Sequence, residues 1–163
     1  MKFAWLPALC LAFAGCDYTV PIAATPTREI DRALVGLWER TGDGDKPESL
    51  LVLPLGPREY LVNYPLDKRD GLFAKATLCS CAGRTWAQLQ WFGTAKGTQP
   101  DDARIYQFAT YEQTNDTLRI RLLNPDVVSK DMATTADLVH GIESNRDEPG
   151  LLREPMSFKR VKE

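Results

Sequence analysis

The most constraining feature of this chain is a strict two-residue alternation. Leu118, Ile120 and Leu122 alternate with Thr117, Arg119 and Arg121. In Leu72 to Cys81, the residues Leu72, Ala74, Ala76 and Leu78 fall on one face, and Phe73, Lys75, Thr77, Cys79 and Cys81 on the other. Successive strand side chains point to opposite faces, so this pattern specifies half-buried antiparallel strands and excludes amphipathic helices. Segments of this kind recur at hairpin spacing. An antiparallel meander leaves edges that must be hidden, and closure into a barrel hides them all. The expected fold is therefore mainly β, a roughly eight-stranded barrel, with a β-sandwich as the alternative.

The other elements follow from local signals. Glu29 to Leu34 reads as a short helical turn leading into a first strand, Val35 to Arg40. The turn Thr41 to Pro47 is rich in residues that tolerate tight bends. Strands are expected at Ser49–Leu53, Arg58–Tyr64, Leu72–Cys81, Arg84–Thr94, Arg104–Gln113 and Leu118–Leu122, with Thr114-Asn115-Asp116 as a hairpin turn. On Arg84–Thr94, Ala87, Leu89 and Trp91 share one face, while Trp86, Gln88, Gln90 and Phe92 share the other. After Asn124 the period changes. Asp126 is expected to cap a short turn. Thr134 or Thr135 is expected to cap a helix running to about Asn145, with Ala136, Val139 and Ile142 as its apolar stripe. Pro149-Gly150 stops the helix, and Pro155 to Lys162 reads as a return strand.

At the other end, Lys2 is followed by an apolar run to Phe13, then by Ala14, Gly15 and Cys16. The run is shorter than the ~20 apolar residues of a membrane-spanning helix. Leu11 to Cys16 resembles the processing box of bacterial lipoproteins, with Phe13 standing where Leu is usual. The resemblance implies removal of residues 1–15, a diacylglyceryl group on the Cys16 sulfur and an acylated amine. The alternative is ordinary signal-peptidase cleavage before Gly15, since Ala12-Phe13-Ala14 also satisfies the small-x-small rule. Ala8-Leu9-Cys10 is a weaker second box, with too little apolar length before it. Asp17, by resemblance to enterobacterial sorting, favours the inner membrane. The domain then lies on the periplasmic side of the cell envelope. Asp17 to Arg28, with Pro21 and Pro26, reads as an extended linker. The expected organisation is a signal over 1–15, an anchored linker over 16–34 and a single domain over 35–163.

Removing residues 1–15 from 163 leaves 148, one domain's worth, and takes away only Lys2 from 20 basic residues set against 22 acidic ones. The small negative net charge, spread along the chain, argues against a basic nucleic-acid face and a polybasic lipid contact.

Gly36-Leu37-Trp38 on the first strand resembles the Gly-x-Trp signature of lipocalins and the wider calycins. That resemblance implies that Trp38 plugs the closed end of a barrel, that Lys159 or Arg160 packs over its ring, and that a helix precedes the last strand. The chain is also similar to small uncharacterised proteobacterial lipoproteins that open Cys-Asp-Tyr and continue with a Leu-Gly-Leu-Trp-Glu-type strand. That similarity brings no activity with it.

Residues with chemical potential are few. Cys79 and Cys81 share one strand face with Cα atoms ~6–7 Å apart, at the upper end of disulfide reach. They read as two small packed residues, with a disulfide in an oxidising compartment as the alternative. His140 is the sole histidine and reads as a solvated helix residue. Asp43, Asp45 and Glu48 lack calcium-loop spacing. No cofactor or metal is expected, and no nucleophile and base stand in a recognisable motif, which argues against an enzyme. The aromatic residues Trp38, Tyr60, Tyr64, Trp86, Trp91, Tyr106, Phe108 and Tyr111 serve mostly as core.

Two functions remain. The first is a protein-interaction or structural accessory on the envelope, with Trp86, Gln88, Gln90 and Phe92 as the candidate interaction face. The second is a carrier of a small apolar ligand. Crowding by Leu50, Val52, Leu72, Leu78, Leu89, Trp91, Leu118, Ile120 and Leu122 predicts no interior cavity above ~300 Å³, which favours the first.

Overall fold

The computed structural model describes residues 17–41, 46–66, 68–100 and 103–162; the lipoprotein-like box and the Asp43 and Asp45 positions lie outside them. The described residues form eight antiparallel strands in sequence order: β1 (Gly36–Thr41), β2 (Pro47–Pro54), β3 (Glu59–Tyr64), β4 (Leu72–Cys81), β5 (Arg84–Thr94), β6 (Tyr106–Thr114), β7 (Thr117–Leu122) and β8 (Met156–Arg160). Each strand pairs with the next, and β8 pairs back onto β1 through Trp38↔Arg160 and Glu39↔Lys159, which closes the barrel. One helix, α1 (Thr135–Ser144), precedes β8.

Because the strands alternate in direction, their connections divide between two ends. The base carries the tight turns: 55–58, Ala82-Gly83 and Asn115-Asp116. Ala82 and Gly83 both have positive φ, 51° and 72°, as a two-residue hairpin turn with the right-handed strand twist requires. The opposite end, the mouth, carries the connection 65–71, the connection 95–105 and the long segment 123–155 that holds α1.

The base is plugged. A single 3-10 turn, Arg32–Leu34, buries Leu34 beneath the strands, its first turn capped by the Asp31 carboxylate accepting from the Ala33 N–H at 2.9 Å. Trp38 is fully buried and donates from Nε1 to the Leu34 carbonyl at 2.9 Å. Of the two basic residues proposed as its partner, Arg160 takes the place. Its guanidinium lies 4.1 Å from the Trp38 ring centroid and donates to the carbonyls of Val35 and Ala33. Gly36 makes room for it: φ is 141°, and a Cβ there would come within 2.6 Å of Arg160 Nη1. The Gly-x-Trp pair thus has a physical reason, since the glycine admits the cation that covers the tryptophan.

Two hydrophobic clusters share the barrel wall. Inside lie Trp38, Leu50, Val52, Tyr60, Val62, Ala74, Ala76, Leu78, Trp91, Leu118 and Phe158. Outside, against β4, β5 and β6, lie Tyr18, Ile22, Cys79, Cys81, Trp86, Phe108, Leu123, Val128, Leu138, Ile142 and Leu151. The helix supplies Leu138 and Ile142 to the second cluster. Ile142 of the expected stripe is buried, but Leu138 takes the place of Val139, which is half-buried, and Ala136 is exposed. Thr134 is the N-cap, accepting from the Asp137 N–H at 3.1 Å. The preceding turn is organised by Asn124, not Asp126, because the Asn124 side chain accepts from the Asp126 N–H and its carbonyl from Val127 and Val128.

The segment read as an extended linker packs along the barrel wall as a strap. Tyr18 pairs with Tyr106 at the mouth end of β6, is 1 % exposed, and donates its hydroxyl to the Val128 carbonyl at 2.7 Å. Ile22 and Ala23 cross the middle of β5 at Gln88, Arg28 reaches Ser80 of β4, and the Ile30 N–H donates to the Pro57 carbonyl at the base. Tyr18 and Ile22 supply the apolar grip that the proline-rich composition hides.

Candidate functional site

The inward residues do not fill the barrel. They enclose a cavity of about 300 Å³ that runs from the base plug to the mouth. Its floor is Leu34, Tyr60 and Tyr111, its walls are aliphatic (Leu50, Val52, Leu89, Leu118, Ile120) with Trp91 and Phe158, and its rim is Glu48, Tyr64, Lys68, Asp70 and Leu72. The volume equals the ceiling that side-chain crowding suggests, and the space exists because Ala76, Ala87 and Ala109 also point inward. It lies at the lower end of small-molecule sites.

Polar groups collect at the two ends of this apolar space. At the rim, Arg40 and Glu48 face each other across the β1–β2 ladder. Arg40 donates to Glu48 Oε2 from Nε at 3.0 Å and from Nη2 at 2.8 Å, and Lys68 donates to Oε1 at 2.8 Å. Tyr64 donates its hydroxyl to Glu48 Oε2 at 2.5 Å and accepts from Arg40 Nε at 2.8 Å. Partial burial pushes the Glu48 carboxyl up, but the hydrogen bonds from Lys68, Tyr64 and Arg40 outweigh it and hold the group at about 2. Arg40 also lies over the rings of Tyr64 and Phe158, at 5.9 and 5.8 Å from their centroids. At the floor, the Tyr60 hydroxyl accepts from the Asp31 N–H at 2.5 Å and donates to the Asp31 carbonyl, and burial pushes the phenol up to about 12. Tyr60 is thus a neutral hydrogen-bonding group. The cavity is greasy along its length, ionic at the rim and neutral-polar at the floor.

The face expected to meet a partner is used by the chain itself. Trp86 is fully buried under the outer cluster, its Nε1 donating to the Cys81 carbonyl at 3.1 Å. Gln88 is 8 % exposed and binds the strap as a backbone would: Oε1 accepts from Ile22 and Ala23 N–H at 2.7 and 3.1 Å, and Nε2 donates to the Ala23 carbonyl at 3.0 Å. Gln90 is half-buried; Phe92 stays outside, 51 % exposed, beside Phe73 at 6.3 Å between ring centroids.

Cys79 and Cys81 are free, buried thiols in the outer cluster, because on a straight strand the i, i+2 pair sits at or beyond disulfide reach. Burial, then the neighbouring Cys81, pushes the Cys79 thiol up to about 11, which makes it a packing group and not a nucleophile. His140 is exposed on α1. Among the described residues no group of His, Cys, Asp and Glu has metal-holding geometry, and Glu48 is engaged by cations of the chain itself.

The rim cluster escapes a reading by motif. Its one sequence signal is a pair of opposite charges, Arg40 and Glu48, flanking a turn at positions that face each other across a hairpin. Tyr64 and Lys68 join only through closure of the next hairpin. No family model matches this chain, and neither does any curated protein or solved structure.

Proposed function

We propose that this protein is a membrane-anchored, lipocalin-like binding module that holds one small, largely apolar molecule in its barrel, with any polar end at the Arg40–Glu48–Tyr64–Lys68 rim. The supporting observation is the apolar cavity of about 300 Å³ reaching from a plugged base to a polar rim. At roughly 30 Å³ per water-sized group, it has room for about ten non-hydrogen atoms. The accessory-protein reading rests on the Trp86 and Gln88 face, and the covered state of that face removes its main support. Anchoring is inferred from the lipoprotein-like box ending at Cys16, which supports an envelope location with the barrel on the periplasmic side. No helix among the described residues is long and apolar enough to cross a membrane.

The test is a calorimetric titration of the purified, delipidated domain with nonanol, repeated on Ala109→Leu, whose longer side chain enters the cavity. The expected result is saturable one-to-one binding, weakened at least tenfold by the substitution. No saturable binding, or binding that ignores Ala109→Leu, contradicts the proposal.

A further inference from the structure

The strap fixes more than the outer cluster. Asp17 and Tyr18 donate backbone N–H groups to the Tyr106 carbonyl, both at 3.1 Å, and the Tyr106 N–H donates to the Tyr18 carbonyl at 3.0 Å. Tyr106 opens β6 at the mouth end. The Asp17 carboxyl is half-buried there, near Arg153, Lys130 and Gln107, the last of which lines the cavity. From this point the strap runs down the wall to the base, so its first residue is at the mouth and its last at the plug.

Cys16 is bonded directly to Asp17, and consecutive Cα atoms are only about 3.8 Å apart. A lipid carried by Cys16 would therefore be attached one residue from the fixed start of the strap at the mouth. The base is far out of its reach: β5 alone has 11 residues, about 35 Å of strand at ~3.3 Å per residue, or about 25 Å along the barrel axis after tilt. The surface nearby suits a bilayer interface. Phe92 is 51 % exposed and lies with Phe73 on the outer wall where β4 begins and β5 ends, near the mouth. Aromatic rings of this kind settle at the headgroup boundary. The base also exposes apolar residues, Leu53 at 40 % and Leu55 at 56 %, and these offer the opposite orientation a foothold.

We infer that the barrel sits mouth-down on the lipid surface, its cavity opening toward the bilayer, so that its ligand is exchanged with the membrane and not with the bulk periplasm. The inference rests on the anchor at Cys16, and the fixed start of the strap at the mouth is what sets the orientation. The bound strap turns an attachment signal into a directional one.

The experiment uses the full, acylated protein in phosphatidylethanolamine–phosphatidylglycerol vesicles containing lipids with doxyl quenchers. A polarity-sensitive thiol fluorophore is placed at Gln99→Cys, an exposed position after β5 at the mouth, or at Leu55→Cys at the base. The unsubstituted protein, with Cys79 and Cys81 buried, gives the background. The expected result is flotation of both proteins with the vesicles and at least threefold stronger quenching at position 99 than at 55. Flotation with equal quenching, or with stronger quenching at 55, overturns the orientation and leaves the anchor standing. Failure of the acylated protein to float overturns the anchor itself and the orientation with it.

Discussion

The two faces of β4, β5 and β6 are packed to different ends. On the inner face, Ala76, Ala87 and Ala109 alternate with larger residues and leave an open space of about 300 Å³. On the outer face, Cys79, Trp86 and Phe108 are pressed beneath α1, the strap and the 123–152 segment, each at most 1 % exposed. The polar groups differ in the same way. Gln88 outside lies under the strap with both ends of its amide bound to backbone, whereas Glu48 and Tyr64, bonded to Arg40 and Lys68, sit at the rim of the cavity. The outer face is covered by the chain itself, and the open apolar space with polar groups at its margin is the face we propose for binding.

The largest effect expected from breaking this contrast is on the outer face. Trp86→Ala removes a fully buried indole from a cluster with no room to spare and should cost about 3–5 kcal/mol in denaturant unfolding. Gln88→Leu comes next, because it leaves the buried Ile22 N–H and both polar groups of Ala23 without their partner. A loss of about 2–3 kcal/mol is expected, with faster hydrogen exchange confined to residues 17–24. The two faces then separate under the opposite change. Cys79→Leu overpacks the outer cluster and should cost about 1–3 kcal/mol, whereas Ala109→Leu has a cavity to enter and should stay within about 1 kcal/mol of the parent.

The smallest effect is electrostatic. Glu48 is held at about 2 in the folded chain against an ordinary value of 4.5, so above pH 4.5 it is ionised in both states and its stabilisation is full. As pH falls from 4.5 toward 2, the unfolded chain takes up a proton that the folded chain resists, and the stabilisation is lost. Asp17 is raised by burial and works in the opposite direction, so the informative quantity is the difference between parent and Glu48→Gln. That difference should shrink across this window as acid removes the parent's advantage.

The barrel was legible because its signal is local. The alternation in β4 and β7, the turn residues between strands and the Thr134 cap each declare themselves within ten residues. The inward set from Leu50 to Leu122 lines the cavity as the alternation says. What escaped legibility depends on distant segments. Whether the Trp86 and Gln88 face is open depends on where residues 17–24 lie, and a stretch holding Pro21 and Pro26 carries no periodic signal of docking. The cavity depends on small residues on three strands, Ala76, Ala87 and Ala109, so the large inward residues bound its volume without showing that the space stays open. The rim cluster needs three strands in register before Arg40, Glu48, Tyr64 and Lys68 meet.

The most direct test of the contrast is a methyl NMR titration of the delipidated domain with nonanol. It compares Leu50, Val52, Leu89 and Ile120 inside with Leu138 and Ile142 outside. Saturable shifts in the four inner residues, with the two helix residues unmoved, are the predicted result. Shifts centred on Leu138 and Ile142, or none in the inner set, would contradict it.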